Sequence, residues 1–173
     1  MNKTMVLAIL AAAVSCGAYA AKKEVKPSFD VPIIEIKGIR LGMTSDDVYA
    51  ILGNTRISTF TIGEVGSDGG INPIQNYIDD KLSSFFFSFR SPDFEGVIRA
   101  VRSKYPMIRC VTSEVKNRMG AAFSQVECEL SSKDGSMSVR KYGSTMNTGH
   151  LFLISKEMQE KTRLEAVKKS GDI

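Results

Sequence analysis

Three cysteines, a single histidine and a few paired carboxylates are the residues of this chain whose types invite a chemical reading. Cys110 and Cys128 carry the clearest signal. They lie in Met107–Leu130, where two flanks rich in strand formers enclose the turn-forming run Lys116-Asn117-Arg118-Met119-Gly120. That is the pattern of a β-hairpin. Folded symmetrically about Met119, the hairpin sets Cys110 opposite Cys128. Opposed residues of a non-hydrogen-bonded antiparallel pair have Cα atoms about 4.5 Å apart, within disulfide reach. The spacing predicts a disulfide and, with it, an oxidising compartment.

His150 is the only histidine, which excludes a multi-histidine metal site, and the carboxylates show no metal-binding spacing. A Ser-His-Asp triad would have to use His150, which stands in Thr148-Gly149-His150-Leu151-Phe152 at the mouth of a predicted strand. A histidine at a strand entrance is the simpler reading. An enzyme would otherwise have to recruit Asp79 or Asp80, with a shifted pKa in a cleft. The chain therefore reads as a non-enzyme with no cofactor. Its net charge of +4 is spread along the sequence and not massed into an arm, so no nucleic-acid partner is expected.

Cys16 belongs to a different argument. Residues 1–20 read as a signal peptide: Lys3, then the apolar run Met5–Val14, then the Ala18-Tyr19-Ala20 cleavage pattern. The apolar run is too short to span a bilayer core of about 30 Å. Ala13-Val14-Ser15-Cys16 also resembles a bacterial lipoprotein processing box. Cleavage after Ala20 discards Cys16 and releases a periplasmic or secreted protein. Lipidation of Cys16 instead anchors the chain at the outer membrane, the one route to a membrane partner. The soluble route is the expectation, and Cys110 and Cys128 remain paired in both.

The elements that must position these residues follow in order. Residues 21–30 read as a linker, 31–155 as a single domain and 156–173 as a charged C-terminal helix or tail. Val31–Ile36 is β-branched and predicts a strand. Thr44 and Asp47 form the start of a short amphipathic helix, with Val48, Ile51 and Leu52 on one face and Gly53 at its end. Three strands are predicted next, Arg56–Ile62, Ile74–Ile78 and Leu82–Arg90.

The run Ile39-Arg40-Leu41-Gly42-Met43-Thr44-Ser45-Asp46-Asp47-Val48-Tyr49-Ala50-Ile51-Leu52-Gly53 is similar to the Gly-Met-Thr…Val…Leu-Gly helix of the BamE (SmpA/OmlA) family. These are small outer-membrane assembly lipoproteins, and the same helix-then-sheet unit occurs in β-lactamase-inhibitor-like domains. The resemblance runs from Ile39 to Arg90 and not beyond. It implies an envelope protein, either a structural lipoprotein or an inhibitor-like binding module.

Gly63–Pro73 reads as a flexible loop; it lacks the Gly-Lys-Ser/Thr ending of a phosphate-binding loop. Asp79-Asp80-Lys81 reads as a turn, and Phe85, Phe87 and Phe89 share one face of the strand that follows. Ser91-Pro92-Asp93 predicts a capped helix start. Phe94, Val97, Ile98, Val101 and Tyr105 then form one stripe, with Arg99, Arg102 and Lys104 on a solvated face. After the cystine hairpin, Ser136–Tyr142 and His150–Ile154 read as strands, and Ser155 caps a solvated last helix.

The expectation is an α+β fold: an antiparallel sheet with amphipathic helices on one face, in two helix-plus-meander halves without matched residues between them. The partner expected is another protein. Loops on a rigid scaffold are where recognition concentrates. Glu64 and Asp68 of the glycine-rich loop, and Lys116, Arg118 and Met119 of the hairpin tip, are the candidate partner-binding residues.

Overall fold

The computed structural model describes residues 33–53, 60–70, 73–116 and 120–171. The leader, the linker and Cys16 lie outside them, as do Arg118 and Met119 and most of the strand expected over Arg56–Ile62.

The described chain opens with a small hairpin, β1 (Glu35–Ile36) and β2 (Ile39–Arg40). Of the strand expected over Val31–Ile36, the part described as strand is β1, which ends at Ile36 as expected, where Lys37 and Gly38 turn the chain back with positive φ; Val31 and Pro32 lie outside the described residues. Glu35 is held from two sides. The Tyr105 hydroxyl accepts its backbone N–H at 2.7 Å, and Lys104 reaches its carboxylate at 3.1 Å. Helix α1 (Ser45–Gly53) follows, with the Asp47 amide donating to Thr44 Oγ1 at 3.2 Å, the N-cap that the sequence predicts. Val48 is buried beneath it.

The next segment corrects an expectation. Thr61–Ile62 (β3) and Val65–Gly66 (β4) pair as a hairpin inside the stretch read as a flexible loop, and a turn of 3-10 helix at Asp68–Gly70 follows. Gly63 has φ +61°, and a Cβ there would stand 2.9 Å from the Ala100 Cβ. A Cβ on Gly96 would stand 2.9 Å from Val65 Cγ2. These two glycines let the hairpin lie flush on the helix below it; their role is close approach, not mobility.

The body of the fold is one six-stranded antiparallel sheet with strands β5 (Ile74–Ile78), β6 (Lys81–Arg90), β7 (Arg109–Lys116), β8 (Ala122–Ser131), β9 (Gly135–Arg140) and β10 (Thr148–Ser155). Their order across the sheet is β5-β6-β10-β9-β8-β7. Asp79 and Asp80, both at positive φ, join β5 to β6 in a two-residue turn. The register then shifts so that Ser83 is an extra residue in β6. This bulge lets Leu82 and Phe85, three apart, both face the core.

Helix α2 (Phe94–Lys104) connects β6 to the far edge of the sheet, crossing its core face. Ser91 does not cap it. Its hydroxyl donates to the Met146 carbonyl at 2.7 Å, and a 3-10 turn over Ser91–Asp93 feeds the helix instead. The buried hydroxyl is spent on the neighbouring loop and is not offered to the helix.

Phe94, Val97, Ile98 and Val101 pack onto Phe85, Phe87, Phe89, Met137, Val139, Leu151 and Leu153, in one core that runs from Ile34 to Leu153. The Phe60 ring lies 5.7 Å from Phe85 and 5.5 Å from Phe87. Helix α3 (Lys156–Gly171) begins where β10 ends, with the Met158 amide donating to Ser155 Oγ at 3.1 Å. Only its first turn touches the sheet. Gln159 donates to Ser136 Oγ, on the face opposite Met137, so α3 departs from the face that α1 and α2 share. The architecture is α+β.

Candidate functional site

Cys110 pairs with Cys128 in the register predicted by symmetry about Met119, and the two form a disulfide across the β7–β8 hairpin. Cys128 is fully buried and Cys110 partly so. The Arg102 guanidinium, from the last turn of α2, donates to Cys110 Sγ at 3.1 Å. The bond fastens the outermost strand of the sheet to its neighbour, and Arg102 fastens the helix to the bond. Its place in the fold is structural.

His150 sits within β10, two residues past its start. Its ring lies 5.4 Å from Phe86, and it stands opposite Ser88 on one side and Arg140 on the other. Arg140 is itself paired with Glu127 at 2.5 Å. Burial, and then the charge of Arg140, push the His150 pKa below its ordinary value, against the pull of Glu127. The aromatic and cationic setting favours the neutral imidazole. Of the two carboxylates considered with it, Asp80 accepts from the Ser45 hydroxyl at 2.6 Å and from the Ser45 amide, tying the β5–β6 turn to the start of α1. His150 and Asp80 therefore serve separate parts of the fold.

Glu64 and Asp68 line an open groove of about 770 Å3 between the β3–β4 hairpin and α2. Its opposite wall carries Arg99, and Arg90 and Asp93 close one end, themselves ion-paired at 3.0 Å. Among the described residues no ion pair engages Glu64, Asp68 or Arg99. Acidic and basic groups thus face one groove with their charges unspent. Arg99 escaped the sequence reading because α2 looked solvated on that side. The signal available was Gly96 one turn before it, a small residue that admits a neighbouring element.

Lys116 ends β7 at the same end of the sheet as Arg90, because β6 and β7 run parallel to each other in the alternating order. Four strand spacings, roughly 19 Å across the sheet, and a further offset of three residues along the strand separate the two. The Lys141–Asn147 connection emerges at this end too, with Met146 41% exposed. The predicted partner-binding residues therefore divide: Glu64 and Asp68 share a groove, and Lys116 stands apart at the edge. No helix among the described residues is long and apolar enough to cross a membrane.

Compared with protein families, with characterised proteins and with solved structures, the chain finds no match. What it does must be argued from its own geometry.

Proposed function

We propose that this protein is a non-enzymatic exported binding module that recognises another protein in the cell envelope or outside the cell, in the manner of an inhibitor. The observation that carries the reading is the groove between the β3–β4 hairpin and α2, with Glu64 and Asp68 facing Arg99 and none of the three in an ion pair among the described residues. Charges of both signs on an open surface that mixes polar and apolar groups suit a protein partner with its own mixed charges. The disulfide and the leader-like residues 1–20 support export.

The test is affinity capture from envelope and extracellular fractions. The wild-type protein is expected to recover a reproducible partner, and the Glu64→Lys/Asp68→Lys variant to lose it while melting normally. Equal recovery by both would remove the groove from the reading. The alternative, a structural lipoprotein of the BamE type, rests on the Ile39–Arg90 resemblance and on Cys16. An acylated Cys16 start in the intact mass of the processed protein supports the lipoprotein; a start at Ala21 supports the soluble module.

A further inference from the structure

The two edges of the sheet differ. The β5 edge is five residues long and interrupted by a bulge against β6. The β7 edge runs for eight residues with an unbroken register against β8 and no proline. Shortness and bulges are two of the ways edge strands are kept from pairing further, and β7 has neither; it does carry the exposed charges Arg109, Glu114 and Lys116, which restrict the partner and register it can accept.

Which of its backbone groups are open follows from geometry. Cys110 and Cys128 have Cα atoms 3.9 Å apart, a spacing that belongs to a non-hydrogen-bonded pair. The Val126 carbonyl, opposite Thr112, accepts from Lys141 on the far side of β8. Both observations give the same phase. The N–H and C=O groups of Cys110, Thr112, Glu114 and Lys116 point away from β8. These residues are exposed save for Cys110, and their outward backbone groups find no partner among the described residues.

We propose that a second copy of this chain adds its β7 antiparallel to this edge, with Thr112 of each copy meeting on the two-fold axis, so that two six-stranded sheets become one. A two-fold axis normal to the sheet keeps each residue on its own face, so only residues of like parity can oppose each other. Registers centred on Thr112 or Ser113 pair seven of the eight strand residues, and those centred on Val111 or Glu114 pair five, the last setting two Glu114 side chains against each other. The one centred on Thr112 sets Glu114 of one copy opposite Cys110 of the other. Arg102 stands on that same face, 3.1 Å from Cys110 Sγ, with no carboxylate partner among the described residues. The symmetry makes this Glu114–Arg102 contact twice. On the other face Val111 meets Ser113, and Arg109 meets Val115. Centring on Ser113 would instead bring Lys116 to Arg102, a like-charge contact, and centring on Val111 would leave Arg102 facing Thr112. The charge pattern selects both the occupant and the register.

The purified oxidised protein tests this by sedimentation and light scattering across a concentration series. A dimer is expected. Thr112→Pro removes only an outward-facing N–H and should give a monomer that keeps the near-ultraviolet spectrum of the wild type and still melts cooperatively, at or below the dimer's midpoint. Glu114→Arg sets like charges together and should weaken the dimer at least about tenfold, and Arg102→Glu added to it should restore association. Should Thr112→Pro fail to fold, the charge pair decides alone. A wild-type monomer at every concentration, a dimer indifferent to Glu114→Arg, or a double variant that does not regain association would each overturn the proposal.

Discussion

A single histidine can set how the protein responds to acid. His150 is pressed against Phe86 and lies beside Arg140, and its folded pKa falls below the ordinary value of about 6.5. The unfolded chain therefore binds a proton more readily than the folded one as the pH drops through that range. Stability contributed by the neutral imidazole is complete above the unfolded pKa and declines as the pH falls below it. His150→Phe keeps an aromatic ring against Phe86 and removes the titration. The wild-type melting temperature is expected to fall between pH 7.5 and 5.5 by more than that of the variant, measured by circular dichroism. Equal falls would show that other groups govern this window. Glu35, held low chiefly by its hydrogen bond to Lys104, acts only in stronger acid, where its ion pair is lost as the carboxylate protonates.

At the scale of elements, what the sequence revealed was local. The cystine hairpin was legible because two cysteines equidistant from a turn admit one register. Helix α1 was legible through Thr44 and Asp47, and the Asp79-Asp80 turn through residues that tolerate positive φ. The β3–β4 hairpin was not, since four glycines within eight residues read as a loop until Ala100 and Val65 are seen to need Gly63 and Gly96 beneath them. Half of the groove was therefore foreseen, through Glu64 and Asp68, and half was not. The hairpin staple closes a loop with a sequence separation of 18, worth about 3 kcal/mol in the chain-entropy account. A domain of this size has about 5–15 kcal/mol in all. Cys110→Ser and Cys128→Ser are each expected to lower the denaturant midpoint, and the double variant to lower it no further, because one bond is lost in every case. Additive losses would mean that the two side chains contribute separately.

The order of the strands belongs to the whole molecule, and no local pattern carried it. β10 is the last strand in sequence yet lies between β6 and β9, because α2 carries the chain to the far edge and the meander β7-β8-β9-β10 returns. The trace of that closure is Gly149. A Cβ there would stand 2.4 Å from the Phe89 ring, so the strand that meets Phe89 had to bring a glycine, but the glycine alone names no partner. The same topology divides the C-terminal region into a part the fold depends on and a part it does not. β10 has a neighbour on each side, and Leu151 and Leu153 are fully buried. Helix α3 follows it directly, yet beyond Met158 and Gln159 it is exposed, with Leu164 and Val167 about half in solvent. Beyond Lys156, whose amide donates to the Asp134 carbonyl, its hydrogen bonds to the sheet are those of Gln159 to Ser136 and to the Ile154 carbonyl. Two such bonds at an accessible site contribute about 1–2 kcal/mol together. A chain ended at Lys156 is therefore expected to fold with the near-ultraviolet spectrum of the full-length protein and a denaturant midpoint lowered by that modest amount. Leu151→Asp, which places an unpaired charge between β6 and β9, is expected to abolish the cooperative transition. If the shortened chain also fails to fold, then α3 closes the sheet at the end of β10, and the core from Ile34 to Leu153 cannot stand without it.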